Sequence, residues 1–568
     1  MIKWQICVDK SASLLYDNGC KGVVSKMFVK RNTSTIKGKT YTSTLLVEGY
    51  RNKDGKPRHR TLCNLSKMPP ALIAQIEAFL KGAPAVRPDD LPSSASREFG
   101  SLAAVDSVLR DIGLDRMIYS RNTRWRRLVC LMIAARVIKQ GSKLSIIPWL
   151  KDAAADNVFG FDRDALDVQD LYCALDRLLE RQGDIQKQLA ARSLAGGCLV
   201  LYDLTSTYFE GEGCPLARFG YNRDGKRGKL QVVIGMTTDT QGRPVSIEVF
   251  EGNTKDSQTM ENKIQELKQT YGLNEIIFVA DRGLSTIDNL EKLRAAGLRH
   301  ISAMTHKAML KKIEEKNSPL QLGLFDARHI AEVTDPAAPR TRWILCKNEE
   351  TARRETATRA ALMEKTEAKL RALEQTVAKG KRKKRDGILT QAVKAVNAYR
   401  VAKFYDYEAG EGSFRWWIKQ DTLEREQQLD GCYVITSDAS PDHLTKEELV
   451  ENYKRLARIE SAWRQMKTVQ LEIRPVWHWK PDRVRAHIFL CMLAYLVQHE
   501  MLRRLEPLFH KNGTGKNRQW TFDTALNRLS SLREEERQIQ GQPFFTHTKP
   551  DPEQAQILQL LGVKYPEL

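Results

Sequence analysis

The chain has 568 residues, of which 42% are hydrophobic and 28% charged, with a formal net charge of +21 and a pI near 9.4. One core does not serve a chain of this length, so about three or four domains are expected, and so large a positive balance implies a polyanionic partner, either nucleic acid or an anionic membrane surface. The strongly apolar run Ile488–Val497 is about half as long as a bilayer requires, so it is expected as a buried helix, no membrane partner is expected, and nucleic acid is the better reading of the charge.

The opening MIKWQIC is broken by polar residues before an apolar region forms, so no signal peptide is expected and the chain is placed in the cytoplasm. Ten cysteines, from Cys7 to Cys491, stand singly, without CxxC pairs or zinc spacing. That pattern indicates neither a disulfide framework nor a zinc module, and most of them are expected as small core residues.

Residues 1–95 read as a small β-containing, DNA-binding module. Tyr41–Tyr50 has strand composition, and RNKDGKPR, Arg51–Arg58, is a basic hairpin turn. Lys53, Lys56, Arg58 and Arg60 there suit phosphate contact, or equally a solvated tip. Met27 precedes the first strand pattern, and a chain beginning at Met27 is expected to fold and stay active. Pro84–Ser96 is a Pro/Ser-rich linker, and residues 96–195 form a helical domain, periodic from Leu102 to Arg192 with breaks near Gly113 and Pro148.

From Gly197 the pattern changes to strands: Cys198–Tyr202, Gln231–Thr237, Val245–Phe250, Ile276–Ala280 and Ile301–Met304. The turn signals Asp224-Gly225 and Gln241-Gly242 make the first three an antiparallel meander. Helical segments Lys255–Thr270 and Thr286–Ala296 flank the fourth strand, so residues 196–316 with 440–505 give an α/β fold, a mixed five-stranded sheet flanked by helices. Residues 317–439 interrupt it as a β-rich insertion, with strands at Arg342–Cys346, Ala402–Tyr407, Phe414–Lys419 and Cys432–Thr436. A polar helical excursion from Glu349 to Val401 lies inside it, broken by the basic run Lys379–Arg385. Thr445 and Glu448 have capping-box spacing at the start of the next helix. RPVWHW, Arg474–Trp479, is a loop, Arg483–Leu505 a long apolar helix, and residues 506–568 a C-terminal helical region.

Three carboxylates carry the candidate chemistry. In the helix Tyr453–Lys467, heptad spacing puts Leu449, Tyr453, Leu456, Glu460, Trp463 and Lys467 on one stripe, so Glu460 sits in an apolar seam. A carboxylate there needs a basic partner or a shared metal ion, unless it leans off the seam to pair with Arg464. Asp203 closes CLVLYD and Asp281 closes IIFVAD, and a strand end projects a side chain from a rigid base, although a lone aspartate there is commonly a turn former. Two aspartates and a glutamate suit two hard divalent ions such as Mg2+, with Mn2+ as substitute, and hence phosphoryl transfer without a covalent enzyme intermediate. Glu248 and Glu251 are read as structural, with Glu248 facing solvent, and His478 and His487 as packing or phosphate-contacting residues rather than metal ligands.

The tracts DLTSTYFEG from Asp203, FVADRGL, and IESAWRQMK followed by RPVWHW and RAHIFL resemble the DDE transposases of bacterial insertion sequences. More narrowly they resemble the subgroup with a Tyr, Arg, Glu, Lys signature. Tyr453, Glu460 and Lys467 match that signature, while its arginine position is Leu456, with Arg455 and Arg458 beside it. The resemblance covers about residues 100–505. It implies an RNase H-like catalytic domain and Asp203, Asp281 and Glu460 as catalytic metal ligands. It further implies a homodimer on double-stranded DNA that cuts terminal inverted repeats and joins the 3′ ends to target DNA. Lys467, Tyr453, Arg455, Arg458 and Arg464 would then contact DNA, and Trp416 or Trp417, on opposite faces of one strand, would stack on an extruded base. A nuclease without strand joining and a catalytically inactive DNA-binding protein are the alternatives.

Overall fold

QVVIGMTT, Gln231–Thr238, is buried at every position, as an apolar, β-branched run is when strands flank it on both sides and layers cover both faces. In the computed structural model it lies inside an eight-stranded mixed sheet. The structure describes residues 26–566 apart from 37–38, 53, 82–91, 195–198, 212, 222, 224, 227, 274–275, 282–286, 316–319, 321–329, 337, 470, 472, 474–475, 510–519 and 540–541. The leader before Met27, most of the linker from Pro84, Asp224 of the first turn signal, Arg282 and Gly283 of FVADRGL, Arg474, and Cys7, Cys20 and Cys198 therefore lie outside the described residues, apart from Lys26. The cysteines that are described are all free, and Cys130, Cys214, Cys346 and Cys491 are buried.

Two units are distinguished, Met1–Ala95 with Glu536–Thr546, and Ser96–Glu535 with His547–Leu568. In the first, β1 (Lys26–Ile36), β2 (Lys39–Arg51) and β3 (Pro57–Asn64) form an antiparallel sheet. The expected basic turn joins β2 to β3. The Asn52 side chain accepts from the Lys56 N–H at 2.8 Å, and Gly55 takes φ 73°. Arg60 is not free there, since it pairs with Glu48 on the neighbouring strand at 2.7 Å. A fourth strand, β4 (Ser93–Glu98), follows.

In the second unit β5 (Leu199–Tyr208), β6 (Gln231–Thr238) and β7 (Pro244–Glu251) form the antiparallel meander, and β8 (Ile277–Ala280) and β9 (Arg299–Ala303) continue it in parallel from β5. The sheet does not stop at five strands. The insertion contributes β10 (Ala331–Thr334) and β11 (Arg342–Lys347), then β12 (Tyr405–Gly410), β13 (Ser413–Ile418) and β14 (Cys432–Ser437), and the order β10-β11-β14-β9-β8-β5-β6-β7 carries the sheet into it. β14 pairs antiparallel with β9, because its apolar CYVITS run finds unsatisfied backbone there. β12 and β13 pair only with each other, among the described residues, and the expected strand at Ala402 begins at Tyr405 after a 3-10 turn.

The excursion is a helical hairpin, Glu349–Ala378 and Arg385–Asn397, parted by the basic run as expected. It packs with β12 and β13 on a core of its own, including Leu370, Ile388, Phe404 and Phe414. The helices between Gly100 and Ser193 share one apolar cluster with the sheet and with the long helix Pro481–Phe509, from Leu102 through Phe278 to Leu493. The C-terminal region is not wholly helical. Besides helices Phe522–Ser530 and Pro552–Leu560 it contains β15 (Arg533–Ile539), a highly charged REEERQI, and β16 (Gln542–His547), QPFFTH, neither of which carries a long apolar run. Among the described residues no helix is long and apolar enough to cross a membrane.

Backbone crowding beside β6 gives a sharp test. A Cβ on Gly252 would overlap the carbonyl oxygen of Gln231, and one on Gly220 that of Gly252, both main-chain atoms that cannot rotate away. Gly252→Ala is expected to lower stability by about 2–3 kcal/mol. Gly183→Ala, in open space on a helix, should instead be neutral or slightly stabilising. Urea denaturation of the two variants checks the contrast.

Candidate active site

The parallel ladder between β5 and β8 ends at the pair Tyr202 and Ala280. The next residues are Asp203, still within β5, and Asp281, the first residue past β8, so the two aspartates follow directly on the last paired residues of neighbouring strands. Asp203 does not close its strand as expected. β5 runs on through LTSTY, paired with β6 alone among named strands, because Thr205 and Thr207 are β-branched and suit extension. The Leu204 N–H donates to Asp203 Oδ1 at 2.8 Å.

The helix carrying Glu460 also differs from expectation. Thr445 and Glu448 do form the capping box, but the helix Lys446–Lys454 ends at Arg455, and a second, Leu456–Arg464, follows and passes into a π-helical turn, Gln465–Val469. The break changes the phase of the apolar stripe. Leu456, Ile459, Ala462 and Trp463 are buried, the helix packs across β5, and Glu460 is exposed rather than set into a seam. It faces a cleft of about 740 Å3, which Asp281 and Tyr453 also line.

Electrostatics ties the three groups together. Burial, followed by the charges of Asp281 and Glu460, pushes the Asp203 carboxyl up to about 7, against the Leu204 N–H and Arg223, which lower it. Among the described residues no three His, Cys, Asp or Glu side chains are gathered closely enough to hold a metal ion. The carboxylates share a field rather than a finished coordination sphere. Their chemistry still fits a divalent ion, since the set is all hard oxygen and carries repulsion that a cation would relieve.

Lys467, 9% exposed, donates to Thr205 Oγ1, two residues beyond Asp203 on the same face of β5. The Tyr453 ring stacks on Tyr433 of β14, with centroids 6.4 Å apart. Leu456 is buried at the signature's arginine position. Arg455 pairs with Glu451 at 2.9 Å, and Arg458 donates to the Thr240 carbonyl in the β6–β7 turn, so neither lines the cleft. Arg464 is exposed. Trp416 packs on the insertion's core, 6.0 Å from Tyr405, while Trp417 on the opposite face is 43% exposed. Glu248 is not solvent-facing, since Lys263, fully buried, meets it at 2.7 Å. His478 and His487 lie elsewhere, around Lys143.

Sequence reasoning missed the far wall of the cleft, where Asp430 accepts from Arg359 at 2.7 Å and from Thr356 at 2.6 Å. Nothing local links those residues, which come from the helical excursion and from the turn before β14. Thr205 was within reach, because it alternates with Asp203 inside the quoted DLTSTYFEG tract.

The order of β5–β9, three antiparallel and then two parallel off β5, is RNase H-like, the class of fold that the resemblance implies. Residues 195–497 match the family model described as Transposase DDE domain, and residues 29–90 match that of the IS1634 family transposase, N-terminal domain. The first match spans more than half of the chain, which therefore belongs to the DDE transposases of insertion sequences, enzymes that act on DNA. Among solved structures it is similar to the piggyBac transposase synaptic complex with hairpin DNA, at 10% identity over 76% of each chain with a TM-score of 0.34. It is also similar to the Mos1 transposase paired-end complex with left transposon end, at 12% identity over 32% of this chain and 58% of that one, with a TM-score of 0.14. No curated protein matches the chain.

Proposed function

We propose that Asp203, Asp281 and Glu460 are the catalytic carboxylates, and that the chain binds terminal inverted repeats, cuts them and joins the 3′ ends to target DNA. The observation that supports this reading is that Asp203 and Asp281 directly follow the last β5/β8 pair, with Asp281 and Glu460 both close enough to act on the Asp203 carboxyl. The three side chains would hold two Mg2+ ions, which supply activation of the attacking oxygen and stabilisation of the leaving one. Lys467 steadies the phosphate nearest Asp203, Tyr453 donates to the same strand's backbone, and Arg464 meets DNA at the exposed side of its helix. Trp417 rather than Trp416 is free to meet a base. The match of Tyr453, Glu460 and Lys467 supports reading the chain as one of the Tyr, Arg, Glu, Lys subgroup, with Leu456 as its departure. The chain works in the cytoplasm as a homodimer, one copy for each transposon end.

The test is a labelled duplex carrying the element's own terminus, incubated with Mg2+ and target DNA. Nicking followed by joining is the expected result. Hydrolysis without joining would assign a nuclease, and specific binding without reaction under any divalent metal would assign an inactive DNA-binding protein.

A further inference from the structure

A second cationic cavity, of about 660 Å3, shares no lining residue with the carboxylate cleft. Arg136, Lys143, His478, Arg483 and His487 line it, together with the aromatic Tyr172, Trp477 and Trp479, and no described lining residue is acidic. Lys143 is 4% exposed, with Nζ 2.7 Å from His487 Nδ1 and 3.4 Å from His478 Nε2. Arg136, 6% exposed, donates to the Leu471 carbonyl. Arg483 lies 4.7 Å over the Tyr172 ring and 3.3 Å from Asp176.

Burial, with Lys143 next, pushes His478 down to about 3, and burial with Arg136 brings Lys143 down to about 7. Burial and Lys143 push His487 down as well, so both imidazoles that face Lys143 are neutral and bring no charge to the cavity. An entering anion would favour the protonated form of Lys143, and the basic lining of Arg136, Lys143 and Arg483 suits a negative charge. The rim supplies a second, different signal. Trp477 and Trp479 are 67% and 68% exposed, large apolar surfaces that a folded chain rarely leaves to water without use.

The cavity also has a fixed relation to the carboxylates. Phe209, directly after β5, bridges to Val476, the neighbour of Trp477. Six residues of extended chain separate Phe209 from Asp203, about 20 Å, which one strand of duplex DNA spans in roughly six nucleotides.

We propose that this cavity anchors an unpaired stretch of DNA, taking one backbone phosphate among Lys143, Arg136 and Arg483 while Trp477 and Trp479 stack on the adjoining bases. The inference rests on DNA as the substrate and needs neither cleavage nor metal. Phosphate with two aromatic faces beside it matches a nucleotide strand better than a simple anion, because stacking tolerates any base.

The experiment measures binding by the full chain, in chelator, of a short single strand, the same sequence as duplex, a deoxynucleoside monophosphate and inorganic phosphate. The variant Trp477→Ala/Trp479→Ala changes surface residues only. It should weaken single-strand binding by at least about 10-fold while duplex binding stays within about 2-fold. Arg483→Gln should flatten the salt dependence of single-strand binding by about one phosphate contact. Unchanged single-strand affinity in the double variant overturns the proposal. So does tight binding of inorganic phosphate or mononucleotide that matches the strand's own affinity, which would make the cavity a small-anion site. Because the readout is binding without metal, a failure of the catalytic reading would leave this result standing.

Discussion

Asp203→Asn, Asp281→Asn and Glu460→Gln are each expected to cut strand cleavage by at least about 10²–10³-fold while DNA binding changes little, since on the proposed reading each removes a metal-binding carboxylate and no packing. The argument is strongest for the aspartate pair. Asp203 is held in β5 opposite Met236, and Asp281 follows directly on the last residue of the β8 ladder. Glu460→Gln has a second signature that a merely structural glutamate would not produce. Its charge is among the causes that hold the Asp203 carboxyl up near 7, so the variant should lower that titration. Carboxyl NMR on metal-free protein reads the shift, and a gel assay on labelled DNA reads the cleavage. Full activity in Glu460→Gln would remove it from the reaction.

Lys263→Ala, on the helix Asp256–Gln265 that covers the catalytic sheet, should be strongly destabilising. Lys263 is fully buried, with Nζ 2.7 Å from Glu248, 3.1 Å from Ser246 Oγ and in contact with Glu266, and it lies 5.4 Å over the Tyr202 ring. Burial alone would push its ammonium down, but Glu248 and Glu266 outweigh burial and hold it above its ordinary range. Removing it leaves two half-buried carboxylates facing each other with their shared cation gone, a loss of about 3–5 kcal/mol. Urea denaturation checks this. The double change Lys263→Met/Glu248→Gln should recover part of the loss, because it removes a stranded charge along with the cation. Tyr202 precedes Asp203, so the cluster braces the reverse face of the strand that carries the first aspartate.

Much of the sheet was legible, because β6, β7, β8 and β14 are short apolar runs between turn signals and begin and end within about two residues of expectation. Pairing was less so. Nothing in CYVITS says that β14 will dock on β9, about 130 residues earlier in the chain, since that choice is made by unsatisfied backbone in three dimensions. The break at Arg455 left no trace, as the residues on both sides favour helix equally and only packing on β5 sets the second segment's phase. Of the site, the three carboxylates could be read from their order and strand context. Glu248 was misread because alternation reports a face, and the buried Lys263 that covers this face belongs to another element. The cavity around Lys143 was invisible for the same reason, since its lysine and its histidines lie more than 300 residues apart.

The docking of β14 on β9 bears on how such a chain could be shortened. β9, RHISA, is buried almost throughout, and without the insertion its outer backbone groups would lie bare along the rim of the catalytic sheet. An unguarded rim of that kind recruits strands from other molecules. The insertion therefore doubles as a guard against self-association. A trimmed variant that keeps every carboxylate should precipitate unless β11 and β14 are kept with it.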